Sequence, residues 1–224
     1  MVNLVLASNS PRRKQLLSLG GWKFRVLPVD VDERSLPGEE PLDYVLRLAM
    51  SKGQAAAGQV FAAADPAEDV IVVAADTTVV DGKTILGKPA DKDEAERMLR
   101  SLRGRVHQVY TALAVLRSAD GSIRTDWCVT DVPMRNYSDA EMMTYIRSGD
   151  PMDKAGAYAI QHSEFRPVEN LQGCFANVMG LPLCHLARTL IEVGAPPEQD
   201  IAQACQKEIN YACPIFQKVL KRVI

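Results

Sequence analysis

The run "VIVVAADTTVV", residues 70–80, places the strongest constraint on the fold of this chain. It is almost continuously apolar and rich in β-branched residues, which predicts a strand buried on both faces of a sheet. Asp76 interrupts this run. A buried carboxylate is costly unless it is paired, bound to a metal, or placed at a strand end that faces a cleft. Asp76 is therefore the strongest candidate site residue, with an Asx-type turn into a hairpin as the alternative.

Strand and helix signals alternate along most of the remaining chain. Val2 to Ala7 predicts a strand, followed by a helix that begins at Pro11 with Ser10 as its N-cap. "FRV" predicts a second strand, and apolar spacing over residues 42–50 predicts a helix that carries Lys52. "VVDGKTIL" predicts a hairpin. Strands in both hairpin and crossover contexts indicate an α/β fold with a mixed sheet flanked by helices.

The second half of the chain continues this pattern. "ADKDEAERMLRSLRG" predicts a helix capped by Asp91, and Ser138 to Gly149 predicts another. Two strands joined around residues 120–121 lie between them, and "AGAYAI" and "VENLQG" predict further short strands. Pro182 opens a last core helix. We therefore predict one domain over residues 1–194 and a helical C-terminal extension over residues 195–224.

Composition excludes several classes of protein. A formal charge of -2 and a pI near 6.0 argue against a wide basic surface for nucleic acid, although a local basic pocket is allowed. The N-terminus lacks the pattern of a signal peptide, and no apolar run approaches the ~18 residues of a membrane span. We expect a cytoplasmic protein without a membrane partner.

Five widely spaced cysteines without a CxxC pair indicate neither a disulfide framework nor a zinc site.

Charged residues stand at the ends of apolar elements, while the common nucleotide and hydrolase motifs are absent. The sequence has no G-x-x-x-x-G-K-[ST] loop, G-x-G-x-x-G fingerprint, G-x-S-x-G elbow or H-E-x-x-H. A nucleoside triphosphate would suit the charged set, because arginines and lysines clamp phosphate oxygens, carboxylates hold Mg²⁺ or Mn²⁺, and one carboxylate activates water. The set comprises Arg12, Arg13, Asp32, Glu33, Lys52, Asp76 and Lys88.

Taken singly, most of these residues also fit a solvated surface. Lys52 and Lys88 can be ordinary surface lysines, and Asp32 and Glu33 can lie in a solvated loop. Arg12 and Arg13 sit at a helix N-terminus, where cations oppose the helix dipole by about 0.3 to 1 kcal/mol. An anion bound there would reverse that cost. The two arginines therefore favour an anion site.

The combination of motifs resembles the Maf family of nucleotide pyrophosphatases. The matching pieces run in order from about residue 3 to residue 193: "LASNSPRRKQLL", "DVDE", "LRLAMSKGQAA", "VVAADTTVV", "LGKPADKDEAERMLRSLRGRVHQVYTALAV", "DKAGAYAIQ" and "NVMGLPL". The resemblance implies a fold like that of inosine-triphosphate pyrophosphatase, with an elongated mixed sheet and two lobes around a nucleotide cleft. It also implies a homodimer.

The resemblance implies hydrolysis of a nucleoside triphosphate to the monophosphate and pyrophosphate with a divalent cation, as house-cleaning of the nucleotide pool. Asp76 matches the proton acceptor of the family, and Glu33 matches an acid that helps with metal or water. Metal binding is thus expected at Glu33 and Asp76. Positions that line the phosphate cleft correspond to Ser8, Ser10, Arg12, Arg13, Lys52 and Lys88.

Members of the family that favour dTTP and UTP resemble this chain at Arg12, Thr77 and Gln161. A glutamine amide both donates to and accepts from a pyrimidine edge, whereas a carboxylate only accepts. The stretch "HSEFRPVE" after Gln161 and the pair Thr111-Ala112 depart from the family pattern, and the first lies next to a base-specificity position. Modified pyrimidine nucleotides are a further candidate class of substrate. Two other functions stay open. One is a non-catalytic nucleotide-binding regulator of cell division, and the other is an aspartyl phosphatase that would release orthophosphate.

Overall fold

A computed structural model describes residues 3–65 and 68–222 of the protein. Its strands are β1 (Asn3–Leu6), β2 (Phe24–Val26), β3 (Val70–Asp81), β4 (Thr84–Leu86), β5 (Val106–Arg117) and β6 (Ile123–Pro133). They form one mixed sheet in the order β2-β1-β3-β5-β6, with β4 paired to β3. β1 is parallel to β2 and β3, and the other pairs are antiparallel. Val2, which the sequence places in the first strand, lies outside the described residues.

Helices cover both faces of the sheet. They are α1 (Pro11–Ser18), α2 (Pro41–Phe61), α3 (Lys92–Leu102), α4 (Asp139–Arg147), α5 (Phe175–Met179), α6 (Leu183–Glu192), α7 (Ile201–Ile209) and α8 (Phe216–Leu220). Among the described helices, α2 is the one that packs against one face, whereas α1, α3, α4, α5, α6 and the start of α7 share the core on the other. The prediction of a mixed sheet flanked by helices is confirmed.

Helix caps follow the sequence signals closely. The Ser10 side chain accepts from the backbone N–H of Arg13, with Pro11 at the first helical position. Ser138 and Glu141 form a complete capping box at α4. At α3, Asp91 accepts from the Glu94 N–H, but the Glu94 carboxylate accepts from the Ala90 N–H instead of that of Asp91. Local side-chain bonds therefore set where these helices begin.

The short strands predicted for "AGAYAI" and "VENLQG" are wrong. Ala155–Ala157 forms a 3₁₀ turn after another at Asp150–Asp153, and Gly156 and Ala157 have φ of 68° and 60°. Left-handed backbone does not continue a strand. In "VENLQG" the described pairing is an isolated bridge between Val168 and Met134. The apolar residues of these segments pack into the core without forming a ladder.

The β3 strand alternates between the two cores. Ile71, Val73 and Ala75 belong to the core beneath α1, α3 and α6, whereas Val72 and Ala74 pack beneath α2. Successive side chains of a strand point to opposite faces. Asp76 consequently faces the α2 side, and Thr77 faces the opposite side.

β1 and β4 pair with separate parts of the same edge of β3, which leaves a gap in the sheet between them. β1 pairs with β3 as far as Val73, and β4 begins pairing at Val79, while β5 runs along the whole opposite edge. In the described chain, residues 74–78 of β3 thus have a strand on one edge alone. The chain leaves β1 into α1 on one face and, after β2, into α2 on the other. Such a switch point is where α/β sheets typically bind ligands.

The chain beyond Gly194 continues as α7 and α8, which pack on α6 with Ile201, Ala202 and Val219 buried. The five cysteines are free thiols, and Cys174, Cys184, Cys205 and Cys213 line an apolar cavity of about 20 Å³. Within the described ranges, no helix has the length and apolar character needed to cross a membrane.

Candidate active site

A cleft of about 760 Å³ opens at the gap in the sheet. The loop after β1, the start of α1, the middle of α2, β3 and the segment that follows α4 all contribute to its lining. Ten of the residues predicted from sequence lie on this lining: Ser8, Ser10, Arg12, Arg13, Glu33, Lys52, Asp76, Thr77, Lys88 and Gln161. Asp32 is separated from the set, because it faces solvent and binds Arg34.

Lys52 joins two carboxylates at the centre of the cleft. Its Nζ lies 2.6 Å from Asp76 Oδ1 and 2.6 Å from Glu33 Oε1. α2 brings Lys52 to β3 because the next residue is Gly53, where an added Cβ would lie 2.5 Å from Leu116 Cδ1. The missing side chain therefore permits the close approach of the helix to the sheet.

The environment separates the pKa values of the two carboxyl groups. Burial raises the pKa of Asp76 above its ordinary value, against the opposing effects of Lys52 and Arg13. Burial also raises the pKa of Glu33, but the hydrogen bond and charge of Lys52, with the charges of Lys88 and Arg13, outweigh it and leave that pKa lowered. Glu33 is thus held as a carboxylate, while Asp76 is suited to take up a proton.

The donors around Lys52 fit a divalent cation of the Mg²⁺ type. Mg²⁺ is usually bound by one or two carboxylates together with water and substrate phosphates. Glu33 and Asp76 supply two carboxylates that converge on one point, which the Lys52 ammonium group contacts. In the described parts of the chain, no three His, Cys, Asp or Glu side chains form a metal site by themselves. Phosphate oxygens would therefore complete the ligand set.

Arg13 is fixed by the protein on the opposite side of β3. Its Nε donates to Gly180 O at 2.8 Å, its Nη2 to Thr77 Oγ1 at 3.0 Å and its Nη1 to Ser8 Oγ at 3.4 Å. Burial lowers the pKa of Arg13, and Asp76 opposes this effect. A guanidinium has five N–H donors. Those not used by the protein remain available for an anion in the cleft.

Gly180 allows the close packing of α5 against Arg13. It ends α5 with φ of 108°, and an added Cβ would lie 3.3 Å from Thr77 Oγ1 and 3.5 Å from Arg13 Nε. Sequence reasoning matched "NVMGLPL" to the family but assigned this glycine no role. Its positive φ is the physical reason why glycine suits the position.

We expect Gly180→Ala to lower the free energy of unfolding by about 1 to 3 kcal/mol, since a non-glycine residue is strained at this φ. Denaturant unfolding of both proteins measures the change. Gly58→Ala is the matched control, because Gly58 is exposed on α2 with nothing within 4 Å of an added Cβ. The control should be more stable than the wild type by about 0.5 to 1 kcal/mol. Equal stability of Gly180→Ala and the wild type would contradict the argument.

Arg12, Lys88 and Gln161 lie at the rim of the cleft. Arg12 Nη1 is 4.0 Å from Asp153 Oδ2, so this contact is weak. Lys88 and Gln161 are exposed, and the charge of Lys88 reaches Glu33. These side chains can move toward a ligand more freely than Arg13.

Lys154 and the buried network behind Thr77 belong to the site but are not among the residues predicted from the sequence. Lys154 lines the cleft, and its Nζ binds Asp153 Oδ1 at 2.6 Å and Asp150 Oδ1 at 3.0 Å. Thr77 Oγ1 lies 2.9 Å from Thr111 Oγ1, which donates to the carbonyl of Asn177. A lysine within "DKAGAYAI" was the available signal for the first group. No local pattern connects residues as distant in sequence as those of the second.

Comparison with known proteins identifies relatives over most of the chain. The family model described as "Maf-like protein" matches residues 3–193. A protein of Anaeromyxobacter dehalogenans (strain 2CP-1 / ATCC BAA-258), named dTTP/UTP pyrophosphatase, is 47% identical over 195 residues, covering 86% of this chain and 95% of its own. A protein of the same name from Geobacter sp. (strain M21) is 43% identical over 86% of this chain and 96% of its own.

Among solved structures, the Ham1 protein of Staphylococcus aureus aligns over 60% of this chain and 72% of its own, with 16% identity and a TM-score of 0.37. A TM-score of this size does not assign the chain to a group. The family match and the close relatives span the strands, helices and loops that build the cleft. The chain belongs to the family of Maf-like proteins.

Proposed function

We propose that the protein hydrolyses nucleoside triphosphates to the monophosphate and pyrophosphate with a divalent metal ion, and that it favours dTTP and UTP. The main support for this proposal is the buried Asp76 carboxyl group, whose pKa is raised. Its Oδ1 lies 2.6 Å from Lys52 Nζ in a cleft that Arg12 and Arg13 also line. The relatives named dTTP/UTP pyrophosphatase support this assignment.

Arg13, Arg12 and Lys88 supply the positive charge for a triphosphate. Arg13 is held rigidly by Gly180 and Thr77, so it offers its remaining donors in a defined direction. The N-terminus of α1, the positive end of the helix dipole, lies at the same end of the cleft. Fixed donors of this kind stabilise the charge that gathers on the departing pyrophosphate.

Asp76 acts as the general base. Its carboxylate takes a proton from water, the water oxygen forms a bond to the α-phosphorus, and the bond from the α-phosphorus to the bridging oxygen breaks. Pyrophosphate departs with the electron pair of that bond. Glu33 and Asp76 would hold the metal ion, which would neutralise phosphate charge and lower the pKa of bound water. Lys52 keeps both carboxylates oriented toward this point.

The purified chain, assayed with Mg²⁺ or Mn²⁺, should release pyrophosphate from dTTP and UTP faster than from CTP or 7-methylguanosine triphosphate. Product analysis must separate pyrophosphate from orthophosphate. Orthophosphate as the first product would favour an aspartyl phosphatase. Nucleotide binding without turnover would favour the non-catalytic regulator. Either result would overturn the proposal.

Gln161 is proposed to contact the base. We expect Gln161→Glu to lower kcat/KM for dTTP and UTP by about tenfold, since a carboxylate cannot donate to the acceptors of a pyrimidine edge. Turnover of 7-methylguanosine triphosphate should rise relative to both. Gln59→Glu, an exposed substitution near the end of α2, is the matched control and should leave these ratios unchanged. An unaltered ratio in Gln161→Glu would remove Gln161 from the base site.

The resemblance also leads us to propose a cytoplasmic homodimer that clears unwanted nucleotides, modified pyrimidine nucleotides among them, from the pool. We further propose that residues 1–194 form the pyrophosphatase domain and residues 195–224 an extension of it. Sedimentation of the purified chain tests the dimer, because a monomer at micromolar concentration would contradict it.

A further inference from the structure

The C-terminal segment, residues 195–222 in the described chain, lies outside the family match and contributes no residue to the lining of the cleft. It is nevertheless tied to α1 and to the turn that follows this helix. The Gln15 Nε2 donates to Glu208 Oε1 at 2.7 Å, and the Glu198 N–H donates to the carbonyl of Gly20 at 2.9 Å. Trp22 Nε1 donates to the carbonyl of Ala195 at 3.1 Å. The segment thus contacts the C-terminal half of α1 and the turn that follows it.

The same segment is tied to the loop that leads into α5. The Tyr211 hydroxyl lies 2.9 Å from the carbonyl oxygen of Gly173 and 3.0 Å from that of Leu171, so its one hydrogen is shared between two acceptors. The Tyr211 ring packs against Phe175, the first residue of α5, with ring centroids 5.6 Å apart. These contacts fix where α5 begins.

α1 and α5 are also the elements that hold the Arg13 guanidinium. α1 carries Arg13, and Gly180, directly after α5, accepts from Arg13 Nε at 2.8 Å. A bond of this length depends on the spacing of the two helices. The C-terminal segment binds both helices outside the cleft, so it is placed to maintain that spacing.

We infer that the C-terminal segment is a brace that sets the position of Arg13 in the cleft, and that Tyr211 is its principal positioning residue. The inference rests on the proposed function, in which Arg13 binds the phosphates of the substrate. It assigns the extension a role in substrate binding without direct contact with the substrate.

Tyr211→Phe tests the brace in the full-length chain, because it removes the hydroxyl and keeps the ring against Phe175. We expect kcat/KM for dTTP to fall by about threefold to tenfold, the effect of one lost hydrogen bond, with the change mainly in KM. Tyr110→Phe is the matched control. The Tyr110 hydroxyl donates to Gln108 outside the cleft, so its removal should leave kcat/KM unchanged.

A double-mutant cycle with Arg13→Lys separates positioning from a general loss of stability. If Tyr211 acts through Arg13, Tyr211→Phe should have almost no further effect in the Arg13→Lys protein. If the two substitutions change kcat/KM additively, or if Tyr211→Phe alone leaves KM unchanged, Tyr211 does not position Arg13 and the inference is wrong. If Tyr211→Phe does not fold, Glu208→Ala, which releases Gln15 of α1, replaces it in the same cycle.

Calorimetric titration with pyrophosphate tests the role of Tyr211 even if the protein has no turnover. A wild-type protein without turnover contradicts the proposed function. In that case we still expect Tyr211→Phe to weaken pyrophosphate binding by about threefold to tenfold, and Tyr110→Phe to leave it unchanged. Equal affinities, or no pyrophosphate binding by the wild type, would overturn the brace.

Discussion

Asp76→Asn is expected to lower kcat for dTTP by about 10² to 10⁴-fold, the usual contribution of a positioned general base. The asparagine amide keeps the size of the side chain and can still accept from Lys52, so folding should be preserved. It cannot take a proton from water. Steady-state kinetics at saturating dTTP and Mg²⁺ measure the loss.

Nucleotide binding provides the matching control for this variant. Removing a negative charge beside the phosphates should leave the affinity for dTTP equal to or higher than that of the wild type, as measured by calorimetry without added metal ion. Asp131→Asn is the control substitution, because Asp131 is an exposed carboxylate on β6 that binds Gln108. A kcat of Asp76→Asn within tenfold of the wild type would rule out Asp76 as the base.

Lys52→Met is expected to lower the free energy of unfolding at neutral pH by about 3 to 5 kcal/mol, as in other buried ion pairs that lose one partner. The change leaves Asp76, which is 6% exposed, beside Glu33 without the cation that now lies 2.6 Å from both. Denaturant unfolding measures the deficit. Lys83→Met, at the exposed hairpin turn between β3 and β4, is the control and should change stability by less than about 0.5 kcal/mol.

The deficit of Lys52→Met should depend on pH in a defined direction. The folded-state pKa of Asp76 is already raised above 3.8, and losing Lys52 removes an interaction that lowers it. A raised carboxyl pKa means that the folded state binds more protons than the unfolded state, so stability falls as pH rises through that pKa. The deficit should therefore be small in acid and grow toward neutral pH. A deficit that is constant with pH would contradict this account.

The same substitution should shift the pH profile of activity. Because Asp76 must be ionised to accept a proton, the acid limb of kcat/KM follows its pKa. We expect this limb to move to higher pH in Lys52→Met and to stay in place in Lys83→Met.

The importance of Asp76 could be predicted because a carboxylate within an apolar, β-branched run has few stable explanations. The gap in which it lies could not be predicted. It depends on where β1 stops pairing, at Val73, and where β4 begins, at Val79. Strand pairing is a long-range property that local patterns do not report. The error at "AGAYAI" has the opposite origin, since an apolar segment was assigned to a strand although the backbone at Gly156 and Ala157 is left-handed.

Arg12 and Arg13 are neighbours at the start of α1, and the structure gives them different surroundings. Successive residues of a helix point about 100° apart, because 3.6 residues make one turn. Arg13 therefore turns inward to Gly180 and Thr77, while Arg12 stays at the rim near Asp153. Asp32 and Glu33, which lie in a loop, also separate, with Asp32 bound to Arg34 in solvent and Glu33 bound to Lys52 in the cleft.

The sequence by itself determined the long strands and most of the helices of this protein, together with the residue types of its site. Caps, apolar periodicity and the charges at element ends are local properties, so they could be read from neighbouring residues. Only the tertiary structure decided which charges meet, because the contacts of Lys52 with Asp76 and of Arg13 with Gly180 join residues 24 and 167 positions apart. It also decided that the C-terminal segment binds both helices that hold Arg13. Such contacts follow from strand order and helix packing, which no short stretch of sequence encodes.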